Sequence, residues 1–441
     1  ARAVNEASGL PPGPVHLNVP FEKPLEPIEV DGDVPADIEE QAPLGAGGRE
    51  GPFLQQRRGR LELPAGEVAQ LAEHLERVDR GLIVCGPANQ PTPDRESLAA
   101  LAAATGFPVL ADPLSGHRFG DHVDESAVCG GYDSYLDWVD WPDPEVVIRF
   151  GASPTSKVLR KYLGECADRQ ILVDSAGRFR EAEFAATDLV EADPTAVADA
   201  LASRVTDPGA SEYRERFVDA EVAYWERVEE ATASTWFEGG VLQAVAEHLP
   251  DPSTCFVSNS MPVRDLDRFG RPRSGEITVL GNRGVSGIDG IVSSGLGAGS
   301  ATEEPLVLVL GDLAFYHDMN GLLALERCNV DATIVLVDND GGGIFHKLPI
   351  EEFEPPFTEQ FKTPHGLTFE GFGDVYDLAF ERVAPSDFTA AYRRSLEAAG
   401  TQIIAVDFES EASHRRREAL TDRVSDAVAT ALEDDVVNGS D

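Results

Sequence analysis

Two residues 27 positions apart carry the chemistry most open to reading. Asp312 closes the apolar run "LVLVLGD", and Asn339 closes "ATIVLVDN". That separation holds one helix and one return strand, so in a parallel sheet both side chains arrive at the same edge. An ionised carboxylate, an amide oxygen and a nearby backbone carbonyl make an all-oxygen donor set. Such a set suits Mg²⁺, which prefers hard donors and shares them with substrate phosphates. Glycines 341 to 343 follow at once, where the backbone can approach a phosphate closely. Alone, "DNDGGG" reads as a surface turn, since Asp, Asn and Gly dominate turns. Asp312 at this spacing tips the balance toward a cation.

Other strand ends add polar groups to the same edge: Ser258, Asn259, Ser260, Asn282, Arg283 and Asp338. Arg264 lies just beyond. Paired N–H donors of arginine match carboxylates, although in so acidic a chain each arginine alone reads as a surface ion pair. "GLGAG", 295 to 299, does not directly follow a strand, and reads as helix packing or a loop rather than a dinucleotide site. His117 and His122 in "HRFGDH" read as loop histidines. His317, His346 and His365 either handle protons or hydrogen-bond in place. The run Glu409 to Leu420, "ESEASHRRREAL", reads as a solvated helix face.

The elements that must position these groups alternate along the chain. Residues 65–79 are helical, "GLIVCGPA" is a buried strand, "LAALAAATG" a helix and "FPVLAD" a strand. "EVVIRF", "RQILVD" and "TDLVEAD" supply further strands, with "LRKYLGECA" a helix between. After a polar turn at "TDPGASEY" come a long charged helix, 212–232, and a second, 236–248. The strands "TCFVSNS", "ITVLGN", "PLVLVLGD", "ATIVLVDN" and "TQIIAVDF" follow. Such alternation predicts an α/β fold of two doubly wound parallel-sheet domains. We expect a middle α/β domain over 61–204 and a second over 205–441. A Pro-, Gly- and acid-rich linker covers 22–60, after a remnant of another domain at 1–21, where "GPVHLNVP" reads as a strand.

Composition narrows the class. The 441 residues carry 78 acidic and 36 basic side chains, a net charge of −42, and lysine occurs only five times. The acids are dispersed, as on the surface of a salt-adapted protein in which high salt screens self-repulsion. No basic stripe suits nucleic acid. No apolar window reaches the length of a membrane span, and a cytoplasmic enzyme is the expectation. Five widely spaced cysteines make no CxxC pair, which argues against a disulfide framework or a zinc site.

"SNSMPVRDLD", "GNRGVSGIDGIVSSGLGAG", "GDLAFYHDMNGLLAL" and "NDGGGIFHKLP" together resemble one thiamin-diphosphate-dependent family. It is that of the 2-succinyl-5-enolpyruvyl-6-hydroxy-3-cyclohexene-1-carboxylate synthases of menaquinone biosynthesis. The resemblance covers nearly the whole chain and is strongest over 253–365. It implies thiamin diphosphate and Mg²⁺ (or Mn²⁺) as cofactors, and domains of the thiamin-diphosphate enzyme type. Asp312, Asn339 and the Gly341 carbonyl would be metal ligands, with Gly311 and Leu313 beside the cofactor and Ile288 wedged beneath it. Ser260, Arg264, Arg283 and Lys157 would face the substrates, and Ile344, Phe345 and Leu348 would line an apolar wall.

The implied reaction decarboxylates 2-oxoglutarate and adds the resulting succinyl-semialdehyde carbanion to isochorismate. A homodimer or homotetramer, joined through the diphosphate- and pyrimidine-binding domains, is implied as well. In this family the activating glutamate lies in the pyrimidine-binding domain. "GPVHLNVPF" resembles the end of that domain, so we expect most of it upstream of Ala1 and assign no catalytic glutamate here. A related oxo-acid decarboxylase or carboligase, or a non-catalytic cofactor-binding chain, is the alternative. The charge alone makes one prediction. Raising KCl to about 1 M, where the screening length is about 3 Å, should raise the melting temperature in a thermal scan, with NaCl acting equally.

Overall fold

Short apolar runs bounded by glycine and acidic turns form twelve strands among the described residues, and every pairing is parallel. The computed structural model describes all residues except 22, 24, 27, 29, 53, 89, 90, 138–140, 167, 207–210 and 439–441; of 211 and 433–438 it describes only the backbone. Much of the turn expected at "TDPGASEY" therefore lies outside the described residues. The chain divides into two units, Ala1–Leu61 and Glu62–Asp441.

The first unit holds the helix Arg2–Ala7 and two single-turn helices, Ile38–Gln41 and Pro43–Ala46. Arg58 donates to the Asn5 carbonyl at 2.7 Å. The expected strand at "GPVHLNVP" is not formed: residues 13–20 are irregular and exposed. A strand needs a neighbour to complete its backbone hydrogen bonds, and none pairs with this segment among the described residues.

The second unit contains both sheets. The first comprises β1 (Gly81–Cys85), β2 (Val109–Ala111), β3 (Val128–Cys129), β4 (Val146–Phe150), β5 (Arg169–Val173) and β6 (Asp188–Val190), in the order β3-β2-β1-β4-β5-β6. One face packs on the helices Ala65–Leu75, Arg95–Thr105 and Pro194–Ala202, through Val68, Leu98, Leu101 and Val197. The other face, with Leu82, Val84 and Val147, meets Phe217 and Tyr224 of the helix Ser211–Ser234 and Val424 and Val428 of the helix Ser410–Asn438. Strands covered on both sides read as unbroken apolar runs, which is why these were legible.

The second sheet comprises β7 (Ser253–Val257), β8 (Ile277–Leu280), β9 (Leu306–Gly311), β10 (Ala332–Asp338), β11 (Ala379–Val383) and β12 (Gln402–Asp407), in the order β11-β12-β10-β9-β7-β8. The chain leaves β7 for β8 on one side and then crosses to β9 on the other. The crevice outside the ends of β7 and β9 is thus a topological switch point, where ligands of open parallel sheets gather. Two strands were not predicted. β3 is only two residues long, and β11, "AFERV", is a half-buried edge strand without an apolar run.

One buried arginine joins the two sheets' layers. Arg118 spends all five N–H groups: on the carbonyls of Ala111, Asp267 and Gly270, on the Tyr132 hydroxyl, and on the Asp267 carboxylate at 2.9 Å. It is fully buried. The packing of the first sheet's loops therefore reaches the helix Met261–Phe269 of the second. Among the described residues no helix is long and apolar enough to cross a membrane. Breaking a buried, hydrogen-bonded ion pair costs about 3–5 kcal/mol. Arg118→Met should lower stability by that amount in urea titrations followed by far-UV circular dichroism.

Candidate active site

A cavity of roughly 320 Å³ opens at the carboxyl ends of β7, β9 and β10. Its lining brings together Ser260, Arg264, Arg283, Ile288, Gly311, Asp312, Leu313, Asn339, Gly341, Ile344 and Phe345, eleven of the thirteen residues singled out by sequence. Lys157 and Leu348 are not in that lining. Lys157 is exposed at the first turn of the helix Lys157–Glu165. Three residues on, Arg160 lies close enough to Arg264 to repel its charge. Leu348 is half exposed and borders a separate cavity with His346 and Arg268.

β9 and β10 lie side by side with Gly311 opposite Val337, so Asp312 and Asn339 meet at one edge. Asp312 is buried. Its Oδ2 accepts from the Gly341 amide at 2.8 Å and contacts His365 Nε2 at 3.1 Å; its Oδ1 accepts from the Leu313 amide. Burial, aided by the charge of Asp338, pushes its carboxyl up to about 6. This is an acid short of positive charge. Asp338 itself is tied to Arg382 at 3.1 Å. Asp312, Asp338 and His365 offer ligand atoms within 4.8 Å of one another, and Asp338 shares Arg382 with Glu370 and Asp407. Asn339 donates through Nδ2 to Glu238 at 2.8 Å, and its Oδ1 is buried without a partner. A buried, unsatisfied oxygen is costly. Beside an acid short of positive charge, it fits a hard divalent cation.

The glycines behave as the loop requires. Gly341 has φ +129°, and a Cβ there would run into the Lys362 carbonyl. At Gly343 a Cβ would sit 2.6 Å from the Asn339 amide nitrogen. Asp340 accepts from the amides of His365 and Gly366, which pins the 363–367 segment over Asp312 and holds the Asp340 carboxyl below its usual range.

On the opposite wall, Ser260 stands at φ +71° where β7 turns into the helix Met261–Phe269, and its hydroxyl makes no capping bond. A non-glycine residue held there stores backbone strain, which clusters at functional sites. Asn259 organises the neighbouring loop. Its Nδ2 donates to the carbonyls of Asn282 and Gly287, and its Oδ1 accepts from Arg283 at 2.7 Å. Arg264 donates to the Ser260 carbonyl. Neither arginine has a carboxylate partner among the described residues, so the surface-ion-pair reading does not apply. Burial and the Arg283 charge depress Arg264 from its ordinary value.

The comparisons decide the family. A protein of Halobacterium salinarum is 56% identical over 431 residues, spanning 96% of this chain and 73% of that protein. One of Haloarcula marismortui is 55% identical over 440 residues, 97% and 74%, and one of a Roseiflexus species is 41% identical over 425 residues, 95% and 72%. All three carry the name 2-succinyl-5-enolpyruvyl-6-hydroxy-3-cyclohexene-1-carboxylate synthase. The chain belongs to this synthase family. Its members are transferases. Among solved structures, benzoylformate decarboxylase from Polynucleobacter necessarius matches with TM-score 0.57 over 82% of this chain and 68% of its own, at 14% identity; this shows a shared fold. No family model matches the chain.

Several residues in or beside the cavity escaped the sequence reading: Glu238, Asp265, Arg417 and the Asp312 contact of His365. Arg417 corrects the expectation of a solvated face at 409–420. Ser410, Ser413, His414, Arg417 and Leu420 are all buried, because this turn of the helix packs between the two sheets' layers. His346 is held between Glu351 at 2.7 Å and Ser410 at 3.0 Å, fixed in place rather than facing the cavity. His317 is exposed against Tyr316. Only carboxylate-to-amide geometry, not spacing, could have picked out Glu238.

Burial disfavours the ionised form of Asp312, so its cost to folding is absent below pH ~4, grows up to pH ~6 and is complete above that. Asp312→Asn should stabilise the metal-free protein at neutral pH by about 1–3 kcal/mol and remove that part of the pH slope in denaturant titrations. The same variant should bind Mg²⁺ more weakly in calorimetry.

Proposed function

We propose that the cavity holds thiamin diphosphate through Mg²⁺ and carries out the synthase reaction: loss of CO₂ from 2-oxoglutarate and addition of the remaining four-carbon unit to isochorismate. The supporting observation is the pair Arg264–Arg283. Among the described residues these two guanidiniums have no acid partner, in a chain with more than twice as many acids as bases, and they line the same cavity as Asp312 and Asn339. Both substrates are dicarboxylates. At −42 the chain repels dianions at long range, so capture depends on short-range paired N–H donors.

When bound, thiamin diphosphate supplies a nucleophilic ring carbon and an electron sink for the decarboxylation. The chain's own residues do the rest. Asp312, Asn339 and the Gly341 carbonyl would hold the metal, with Gly311 and Leu313 beside the diphosphate. Ile288, in the cavity lining, would pack against the cofactor. Arg264 and Arg283 orient the substrate carboxylates, and the Ser260 hydroxyl, free of capping duty, donates or accepts a hydrogen bond there. Ile344 and Phe345 exclude water from the cavity, whereas Lys157 and Leu348, outside its lining, take no part in this reading. In this reading the first sheet is the middle domain, over 61–204, and the second, over 205–441, holds diphosphate and metal; residues 1–21 belong to the pyrimidine-binding domain and 22–60 link it.

Assembly as a homodimer or homotetramer belongs to the same reading. The dispersed acids support adaptation to high salt.

A coupled assay with 2-oxoglutarate and isochorismate tests the reading. With a pyrimidine-binding domain supplying the activating glutamate, turnover of both is expected in the presence of thiamin diphosphate and Mg²⁺. Turnover of pyruvate without 2-oxoglutarate would overturn the substrate assignment. Arg264→Ala should raise KM for a dicarboxylate about 10–100-fold, the worth of one charged hydrogen-bond pair.

A further inference from the structure

Glu238 begins the helix Glu238–His248 and is buried, yet it borders the cavity. Neither of its oxygens is free. Oε1 accepts from Asn339 Nδ2 at 2.8 Å, and Oε2 accepts from Arg417. Arg417 in turn bridges to Asp265 through Nε at 2.8 Å and through Nη2. One guanidinium thus ties together the start of one helix, the Met261–Phe269 helix and the chain's last helix.

A carboxylate can only accept, so the group that Asn339 turns toward it must be the NH₂. The amide oxygen is then forced the other way, and this is the Oδ1 left without a partner. We propose that Glu238 is a positioning residue for metal binding: held by Arg417, it locks the Asn339 amide with its oxygen toward the cation. The proposal rests on reading Asn339 as a metal ligand. An asparagine free to flip would present NH₂ to the cation as readily as oxygen. Outer partners that orient ligands typically matter about 10–100-fold in metal affinity.

The experiment reads Mn²⁺ affinity in the presence of thiamin diphosphate, from the loss of the free-ion EPR signal, alongside the melting temperature. Glu238→Ala should weaken Mn²⁺ binding at least about tenfold. Adding Asn339→Asp to that variant should restore most of the loss, because a carboxylate offers oxygen whichever way it turns. Arg417 keeps Asp265 as its partner throughout. Unchanged affinity in Glu238→Ala, or a loss that Asn339→Asp does not repair, overturns the proposal.

Should Glu238→Ala fail to fold, the polarity-swapped pair Glu238→Gln/Asn339→Asp takes its place. There the glutamine amide can donate to the new carboxylate, so the pair should bind more tightly than Asn339→Asp alone, which sets two carboxylates face to face. The reverse order overturns the proposal. If the wild-type chain binds no Mn²⁺ with thiamin diphosphate, and Asp312→Asn behaves identically, the metal reading fails and the orienting role fails with it. If the wild-type chain binds and Glu238→Ala binds equally, only the orienting role fails.

Discussion

Parallel pairing of β9 with β10 is the constraint on which the site depends. Parallel strands end on the same edge, so Asp312 and Asn339 meet although 27 residues separate them. Every other part of the cavity is arranged about that edge. β7 delivers Ser260 and Asn259, the loop after β8 delivers Arg283, and the glycines after β10 fold back so that the Gly341 amide reaches Asp312. The switch point between β7 and β9 opens the crevice, and the loops only furnish it.

Buried arginines make this arrangement rigid in a chain rich in acids. Arg118 ties the first sheet's loops to the Met261–Phe269 helix, and Arg417 ties that helix to Glu238 and the last helix. Each guanidinium spreads its charge over several acceptors, which a lysine ammonium could not match in geometry. Arg264 and Arg283 are built differently. They touch a backbone carbonyl and an amide oxygen and, among the described residues, meet no acid. The contrast separates arginines that hold the fold from arginines that can bind a substrate anion, and sequence composition cannot make it.

How much was legible varied with the physics of each feature. The long apolar strands were read correctly because burial on both faces leaves an uninterrupted apolar run. β11 and β3 were not, since an edge strand carrying Glu381 and Arg382, or one of two residues, has no such signature. The strand read into residues 13–20 failed for a related reason: alternation predicts a strand only where a neighbour can pair with it. At the site, Asp312 and Asn339 stood out by type and spacing. Glu238 and Arg417 did not, because an acid at a helix start and a basic residue in a charged run look solvated until a fold buries them.

The amino-acid sequence by itself determined the two parallel sheets, the acid-and-amide pair at their carboxyl edge, and the family, because these rest on local hydrophobic pattern and on motifs within one strand–helix–strand unit. Tertiary structure alone decided which charges are buried together. It put Glu238, Asp265 and Arg417, drawn from positions up to 179 residues apart, into one network. Among the described residues it also left Arg264 and Arg283 without a carboxylate and the Asn339 oxygen without a partner. Those choices depend on the desolvation of groups distant in the chain, and desolvation is a property of the packed fold, not of any segment.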